Sequence, residues 1–570
     1  MAKDWWKNAV VYQIYIPSFC DSNGDGIGDL NGVYSKLNYI KELGANVIWL
    51  SPVNKSPMKD NGYDVSNYRS VNPVFGTMPD FDRLVKKAHN LGIKVVLDFV
   101  ANHTSIEHSW FKESRSKPNS QLRDFYIWRK PKKEGKKYVP PNDWLSWVGG
   151  PAWTYDEGTG EYFLHLFSPN QPDLNWENPV MREEIYCIMR FWLGRGIDGF
   201  RLDAINLISK PVNSKGELVF PNGNEKLLVP NGPRVHEYLQ EMNREVFSKY
   251  NIVTIGETGG VSVDDVVRYA NSDGTELNMV INSEHLNLDG SGDFRWTDNK
   301  INLLDLKYVF EKWQTGINDR AWNALYWCSH NQPRIVSRLG DDTEHREKSA
   351  TMLATCLHFM QGTPFIYQGE ELGMTNAPFA DISDFRDLES INAYKIFAEE
   401  SNHFSKEDML RFMRLKSRDN ARTPMQWNDG PNAGFSKNEP WIMLNPNYTE
   451  INAEEQKNRL GSVFKYYQKL IQLRKEMDII TYGDFELLLP EHSDLFVYKR
   501  TYQNKKLLVV CNFSGEERTF VLPEGFTGKN LLIANDETHR TYTTEISSQG
   551  YRPKPCVNLS PYGAVVYRRY

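Results

Sequence analysis

Short apolar, β-branched runs alternate with amphipathic stretches along most of the chain. The runs fall at 10–16, 46–50, 94–100, 199–204, 252–258, 277–285, 325–330 and 364–369. Helical periodicity fills 34–43 and 81–91, starts again near Val180, and covers 463–476. Buried strands that alternate with helices predict parallel βα units, and eight of them predict a (β/α)8 barrel. Two interruptions break the alternation. About 75 residues rich in Trp, Pro, Gly and Lys separate His103 from the helix near Val180, too many for a connecting loop. They predict a domain inserted after the third strand, over 104–177, and leave the barrel 1–103 and 178–479. A second, polar insertion at 375–461 follows the eighth run. From 480 to 570 the pattern changes to short alternating runs at 485–489, 495–498 and 506–512. That period predicts a C-terminal antiparallel β-sandwich domain.

Composition narrows the class. A chain of 570 residues can bury a large core plus satellites. Its formal net charge of -6, with no long basic run, argues against a nucleic-acid partner. No run of 18 apolar residues predicts a membrane span. The first residues are polar and aromatic rather than signal-like. Six widely spaced cysteines without a CxxC pair suit a reducing compartment, so a cytoplasmic protein acting as a monomer is expected. Aromatic residues make up 13%, and a surplus of Trp and Tyr suits sugar rings, which are apolar on their faces and polar at their edges.

The barrel reading gives the polar residues at the run ends their weight, because chemistry in such barrels sits beyond the C-terminal ends of the strands. Those ends carry Asp98 to His103, then Arg201 and Asp203, then Glu257, then His330 and Asn331. In Gly199-Phe-Arg-Leu-Asp-Ala204, Arg201 and Asp203 share a strand face, so the guanidinium is expected to keep Asp203 ionised. Glu257 has no cation next to it in sequence and reads as the protonated partner. One ionised and one protonated carboxyl on neighbouring strands suit cleavage of a glycosidic bond, with His103 and His330 bridging sugar hydroxyls. Near the N-terminus, Asp21, Asn23, Asp25 and Asp29 stand at positions one, three, five and nine of a loop with Gly26 at six. This resembles the first part of an EF-hand, although position twelve is Gly32 and the flanks are a strand and a helix.

These motifs together resemble glycoside hydrolase family 13, the α-amylase family, and its oligo-1,6-glucosidase, α-glucosidase and sucrose isomerase subgroup. Asp98-Phe-Val-Ala-Asn-His103, Gly199 to Asp203, Gly256-Glu257 and Ser329-His-Asn331 match the four family motifs in order. Gln171-Pro-Asp-Leu-Asn175, Gly369 to Asn376 and Arg418 to Trp427 add subgroup character. The resemblance implies a retaining exo-acting α-glucosidase with Asp203 as nucleophile and Glu257 as acid/base. It also implies a terminal-glucose subsite of Asp60, Tyr63, His103, Arg201, His330 and Arg418, with Tyr63 stacked on the ring. One structural Ca²⁺ would be held by Asp21, Asn23, Asp25, the Ile27 carbonyl and Asp29. The implied substrate is a short oligosaccharide or a disaccharide. Alone, Asp60 in Lys59-Asp-Asn-Gly62 is an ordinary turn residue, and Tyr63 and Arg418 carry no signal. The chain departs from the family at Asn331, where the third carboxylate is an aspartate. It departs again at Ala204, where α-1,6-cleaving members have valine. Strand six lacks its usual aromatics, and Val148 replaces one. These departures leave two other readings: a sucrose isomerase or transglucosylase, and a lapsed sugar-binding barrel. Because every other residue of the subsite is present, Asn331 reads as a replaced aspartate.

Overall fold

The computed structural model describes residues 4–135, 137–213, 218, 230–292, 294–537, 541–543 and 555–570. Eight parallel strands are β1 (Val11–Ile14), β2 (Val47–Leu50), β3 (Lys94–Val100), β4 (Gly199–Asp203), β5 (Val253–Glu257), β6 (Met279–Ile281), β7 (Ala324–Leu325) and β8 (Thr363–Tyr367). They pair in the order β6-β5-β4-β3-β2-β1-β8-β7, and a parallel bridge between Val280 and Asn323 brings the two ends together. The result is a near-closed (β/α)8 barrel. Val, Ile, Leu and Phe dominate these strands, which are buried on both faces as a helix-wrapped parallel sheet requires.

Two runs are shorter strands than the pattern predicts. The run at 325–330 pairs only at Ala324–Leu325, and the run at 277–285 only at Met279–Ile281. Beyond those strands the chain stays buried without a ladder. Trp327 Nε1 donates to Leu353 O, and Tyr326 O accepts from His285 Nε2. Apolarity reports burial there, not pairing.

Between β3 and β4 the chain forms a helix (Ser109–Ser116) and a three-stranded antiparallel sheet. Trp144, Trp153, Leu164 and Leu166 form a core of their own there, which reaches Ala204 and Leu207 beside β4. The polar insertion after β8 carries a small core of its own. Its helices Leu388–Tyr394 and Lys406–Lys416 enclose Phe379, Phe385, Met409, Met413 and Ile442. Its apolar residues follow helical spacing broken by loops, so they stand out less than a continuous run. The C-terminal domain is a five-stranded and a three-stranded antiparallel sheet, starting with Asp484–Leu488, which close on Leu495, Val510, Phe520, Val557 and Val565. Residues 538–540 and 544–554 of that domain lie outside the described residues.

Candidate active site

The site grows from the register of β3, β4 and β5. Arg201 lies directly opposite Asp98 on β3 and Ile255 on β5. Asp203 is two residues further on the same face, and Glu257 ends β5. One guanidinium therefore reaches three acids. Arg201 Nη1 lies 2.8 Å from Asp98 Oδ1 and 2.7 Å from Asp203 Oδ1, and Nη2 lies 2.6 Å from Glu257 Oε1. Glu257 has no cation beside it in sequence, yet Arg201 reaches it from the neighbouring strand. Sequence adjacency missed a partner that strand pairing supplies.

Directly after Asp203 the backbone turns left-handed at Ala204, with φ 42° and ψ 38°. A non-glycine residue there is strained, and such strain collects at functional sites. At Ala204 it aims the N–H at Glu257 Oε2, 3.0 Å away.

Three acids on one cation cannot all ionise freely. Burial, then repulsion from Glu257 and Asp98, pushes the Asp203 carboxyl well above the usual carboxylate range despite the pull of Arg201. Burial also raises Asp98. The unliganded cluster thus favours a bound proton, against the expectation that Asp203 is simply ionised. The Glu257 side chain is 30% exposed and that of Asp203 is 11% exposed, so Glu257 is the arm nearer solvent.

Tyr63, His330 and Gln13 complete the inner wall. Tyr63 Oη donates to Asp98 Oδ2 at 2.9 Å and lies 2.7 Å from His330 Nε2. Gln13 Nε2 donates to His330 Nδ1 at 2.7 Å, which leaves the proton on Nε2. Burial and the cations Arg201, Arg422 and Arg418 hold His330 well below the usual imidazole range, so the ring is neutral. The Tyr63 and His330 rings lie nearly parallel, with centroids 5.5 Å apart. Arg418 is fixed by Asp387, with Nε to Oδ1 at 2.8 Å, and Nη1 reaches to 3.5 Å from Asn331 Oδ1. His103 Nε2 lies 3.2 Å from Tyr63 O, and Gln171 Nε2 donates to Asp60 Oδ2 at 2.9 Å.

All nine residues expected at the catalytic and sugar-binding site therefore join one hydrogen-bonded web. Arg201, Glu257, His330 and Asn331 wall a cavity of about 110 Å³ together with Tyr326 and Ser283. Asp98, Gln13, Trp49 and Asp387 belong to the same web and were not singled out as site residues. Asp98 was legible as the first residue of its motif. The other three carried no local signal. A larger cavity of about 430 Å³ opens at the opposite end of the barrel, among residues that precede β5 to β8. Lys7 Nζ stands 5.3 Å from the centres of both the Trp6 and Trp322 rings there, and no arginine-bridged acids face that space.

The domain inserted after β3 (domain B) and the post-β8 insertion meet beside the mouth. Asn392 Nδ2 donates to Val148 O at 3.1 Å, and Ser146 Oγ donates to Phe167 O, whose ring packs 5.1 Å from His103.

The loop before the first barrel helix closes on its own carboxylates. Asp21 accepts from the N–H groups of Asn23, Gly24 and Gly26 and from Ser436 Oγ. Asp25 accepts from Ile27, and Asp29 caps the helix Leu30–Leu43 through Gly32. Among the described residues no three His, Cys, Asp or Glu side chains form a metal shell, so a cation would draw on Asn23 and the Ile27 carbonyl as well. The donors are all oxygens, a set that suits Ca²⁺, although each Asp21 oxygen already accepts two hydrogen bonds that a cation would have to displace.

A strand-end cluster of acids on a (β/α)8 barrel, followed by an antiparallel β domain, defines a class of sugar-cleaving enzyme. The chain belongs to the α-amylase family of glycoside hydrolases. Residues 13–483 match the alpha amylase catalytic domain, and 495–566 match the C-terminal domain of the alpha-amylase SusG. It is 53% identical over 543 residues to an oligo-1,6-glucosidase of Parageobacillus thermoglucosidasius, covering 94% of this chain and 95% of that one. It is 48% identical to a trehalose-6-phosphate hydrolase of Bacillus subtilis strain 168, covering 99% and 98%. Among solved structures, an isomaltulose synthase from Klebsiella sp. LX3 superposes with a TM-score of 0.91 at 40% identity, over 99% of both chains. Among the described residues no helix is long and apolar enough to cross a membrane.

Proposed function

We propose that this chain is a retaining α-glucosidase that removes the terminal non-reducing glucosyl unit from short α-glucosides. The observation that carries the reading is the pair Asp203 and Glu257 on adjacent strands sharing Arg201, with Arg201 and Glu257 at the wall of a small cavity. Asp203 attacks the anomeric carbon. Glu257 gives its proton to the leaving oxygen and later takes one from the water that frees the sugar. Glu257, as the more exposed arm, swings from Arg201 to the glycosidic oxygen when substrate enters. Its departure removes one anion from beside Asp203 and leaves the guanidinium to Asp203 and Asp98. The same motion therefore favours the ionised form of the nucleophile. His330, neutral with its proton on Nε2, serves as a donor, and Arg418 with Asp60 faces the distal hydroxyls. Asn331 keeps the size of the family's aspartate without its charge, so it weakens the step in which positive charge develops on the ring. The contact between Val148 and Asn392 supports a mouth closed on one side and hence cleavage from chain ends. Ca²⁺ at Asp21, Asn23, Asp25, Ile27 and Asp29 would fix the loop ahead of the first helix. Its removal by chelator should lower the melting temperature more than it changes KM. The six cysteines, widely spaced and without a CxxC pair, suit a cytoplasmic setting.

A transglucosylating reading also has support, in the likeness to an isomaltulose synthase and in Ala204. Product analysis by proton NMR with isomaltose, maltose, sucrose and trehalose 6-phosphate separates the readings. Free α-glucose as the first product from a short α-glucoside supports the proposal. Isomerised sucrose moves the chain to the transglucosylases. Turnover restricted to trehalose 6-phosphate narrows the substrate to that phosphorylated disaccharide. No turnover of any of the four, even after Asn331→Asp, leaves the lapsed-barrel reading.

A further inference from the structure

Lys210 follows β4 at the edge of domain B, and its ammonium is buried. Nζ lies 2.7 Å from Asp173 Oδ2, donates to Asn102 Oδ1 at 2.7 Å, and donates to Leu207 O at 2.9 Å. All three of its donors are thus used. Nothing in the reaction described above needs a buried lysine here, and burying an ion pair away from solvent is not in itself stabilising.

What the pair does fix is the amide of Asn102. Its Oδ1 faces the ammonium, and its Nδ2 donates to Asp173 Oδ2 at 3.1 Å. A flipped amide would set NH₂ against NH₃⁺ and oxygen against carboxylate. The orientation is therefore determined by charge on both sides. The same Nδ2 lies 3.3 Å from His103 Nδ1, so a donor faces that nitrogen and Nδ1 must be the acceptor.

We propose that the buried Lys210–Asp173 pair is a tautomer lock, which through Asn102 holds the His103 proton on Nε2, on the side of the sugar subsite. Lys210, Asp173 and Asn102 are then positioning residues for His103. The unliganded ring donates from Nε2 to Tyr63 O, 3.2 Å away. Gln171 Nε2 also lies 3.1 Å from His103 Nε2, and its amide is fixed too, because Gln171 Oε1 accepts from the backbone N–H and the hydroxyl of Ser168, so with the His103 proton on Nε2 two N–H donors face each other there until an acceptor comes between them. With the proton on His103 Nε2, two donors converge there beside the Asp60 carboxylate. Two donors next to one acceptor match a hydroxyl, which accepts from the first two and donates to the third. The lock thus selects for a neutral sugar hydroxyl at this point. Burial holds the imidazole below its ordinary range, so the ring stays neutral while it donates.

The role of His103 rests on the glucosidase reading, but the lock itself does not, and the test separates them. In the full chain with ¹⁵N-labelled histidine, His103 is assigned by comparison with His103→Gln, and its ring nitrogens are read by long-range ¹H–¹⁵N correlation at pH 7. The expected result is a protonated Nε2 and an unprotonated Nδ1. Asn102→Asp puts an acceptor opposite Nδ1 and should move the proton there. Lys210→Met should give a mixture of tautomers and lower kcat/KM on a short α-glucoside by about 10–100-fold. Most of that loss should fall in KM, because the lost contact is to a hydroxyl rather than to the reacting bond. A native His103 protonated on Nδ1 overturns the proposal. So does an Asn102→Asp protein whose ring signals stay where they are. The native spectrum and Asn102→Asp decide the matter even if Lys210→Met fails to fold. If the nitrogens behave as expected and no glucoside is turned over, the lock stands and the glucosidase reading falls.

Discussion

Two clusters of acids sit toward the C-terminal ends of strands on the same side of the barrel, and they differ in what surrounds them. Asp98, Asp203 and Glu257 lean on Arg201, and Arg201 and Glu257 border a cavity. Glu370 and Glu371, immediately after β8, have tyrosine hydroxyls instead. Tyr467 donates to Glu370 Oε1, and Tyr12 and Tyr39 both donate to Glu371 Oε1. Each glutamate keeps its other oxygen without a hydrogen-bond donor. Burial raises Asp98 and Asp203 in the first cluster and both glutamates in the second, Glu370 to about 8. A raised carboxyl alone therefore does not mark a catalytic acid. What separates the two is a cation that stabilises the anion when it forms, and an opening through which substrate arrives.

Removing the nucleophile tests that contrast most strongly. Asp203→Asn is expected to lower kcat on a short α-glucoside by at least about 10⁴-fold and leave far-UV circular dichroism unchanged. The same exchange at Glu371 should leave kcat within a few-fold. A comparable loss at both sites would erase the distinction. Next in size, Asn331→Asp is expected to raise kcat by at least about 10²-fold with little change in the dissociation constant. A rate no higher than that of the present chain would show that asparagine belongs to a different chemistry.

Glu370→Gln probes the sealed cluster through stability. The folded-state value of about 8 lies above the reference of 4.5, so the folded chain holds a proton that the unfolded chain releases in between. Its contribution is complete below about pH 4.5 and is lost as the pH rises through about 8. In that window unfolding free energy should fall with pH by up to about 1.4 kcal/mol per unit from this group alone. Denaturant titrations of Glu370→Gln should show a shallower fall over the same window, and an unchanged slope would remove Glu370 as its source. The smallest effect is expected at Ala204. Relief of its left-handed backbone in Ala204→Gly should exceed the added chain entropy and stabilise by about 0.5–1 kcal/mol. The freed N–H should hold Glu257 less firmly, so kcat should fall slightly as the melting temperature rises.

The barrel was legible because its strands are apolar on both faces, a pattern that survives even where β6 and β7 pair over only two or three residues. The acids were legible because they end those strands. Their charge states were not. The sequence puts Arg201 beside Asp203 and says nothing of Glu257, since the third contact depends on the register between β4 and β5 and on a rotamer. Arg418 and Asp387 come from the insertion after β8, and no periodicity relates them to the barrel mouth. Gln13 looks like any polar residue in a strand until His330 is found opposite it. The loop from Asp21 to Asp29 shows the converse. Its spacing is plain in sequence, yet its carboxylates are already engaged by the N–H groups of the loop itself.

Arg201 has one further consequence, for how this sequence can drift. A single guanidinium that neutralises three acids from three strands leaves no redundancy. Loss of the arginine strands Asp98, Asp203 and Glu257 together in a dry barrel end. No single later change at one of them relieves the other two. The four positions are thus tied into one unit of inheritance. Descendants of this chain either keep all four or abandon the site in one collapse, with few viable intermediates between.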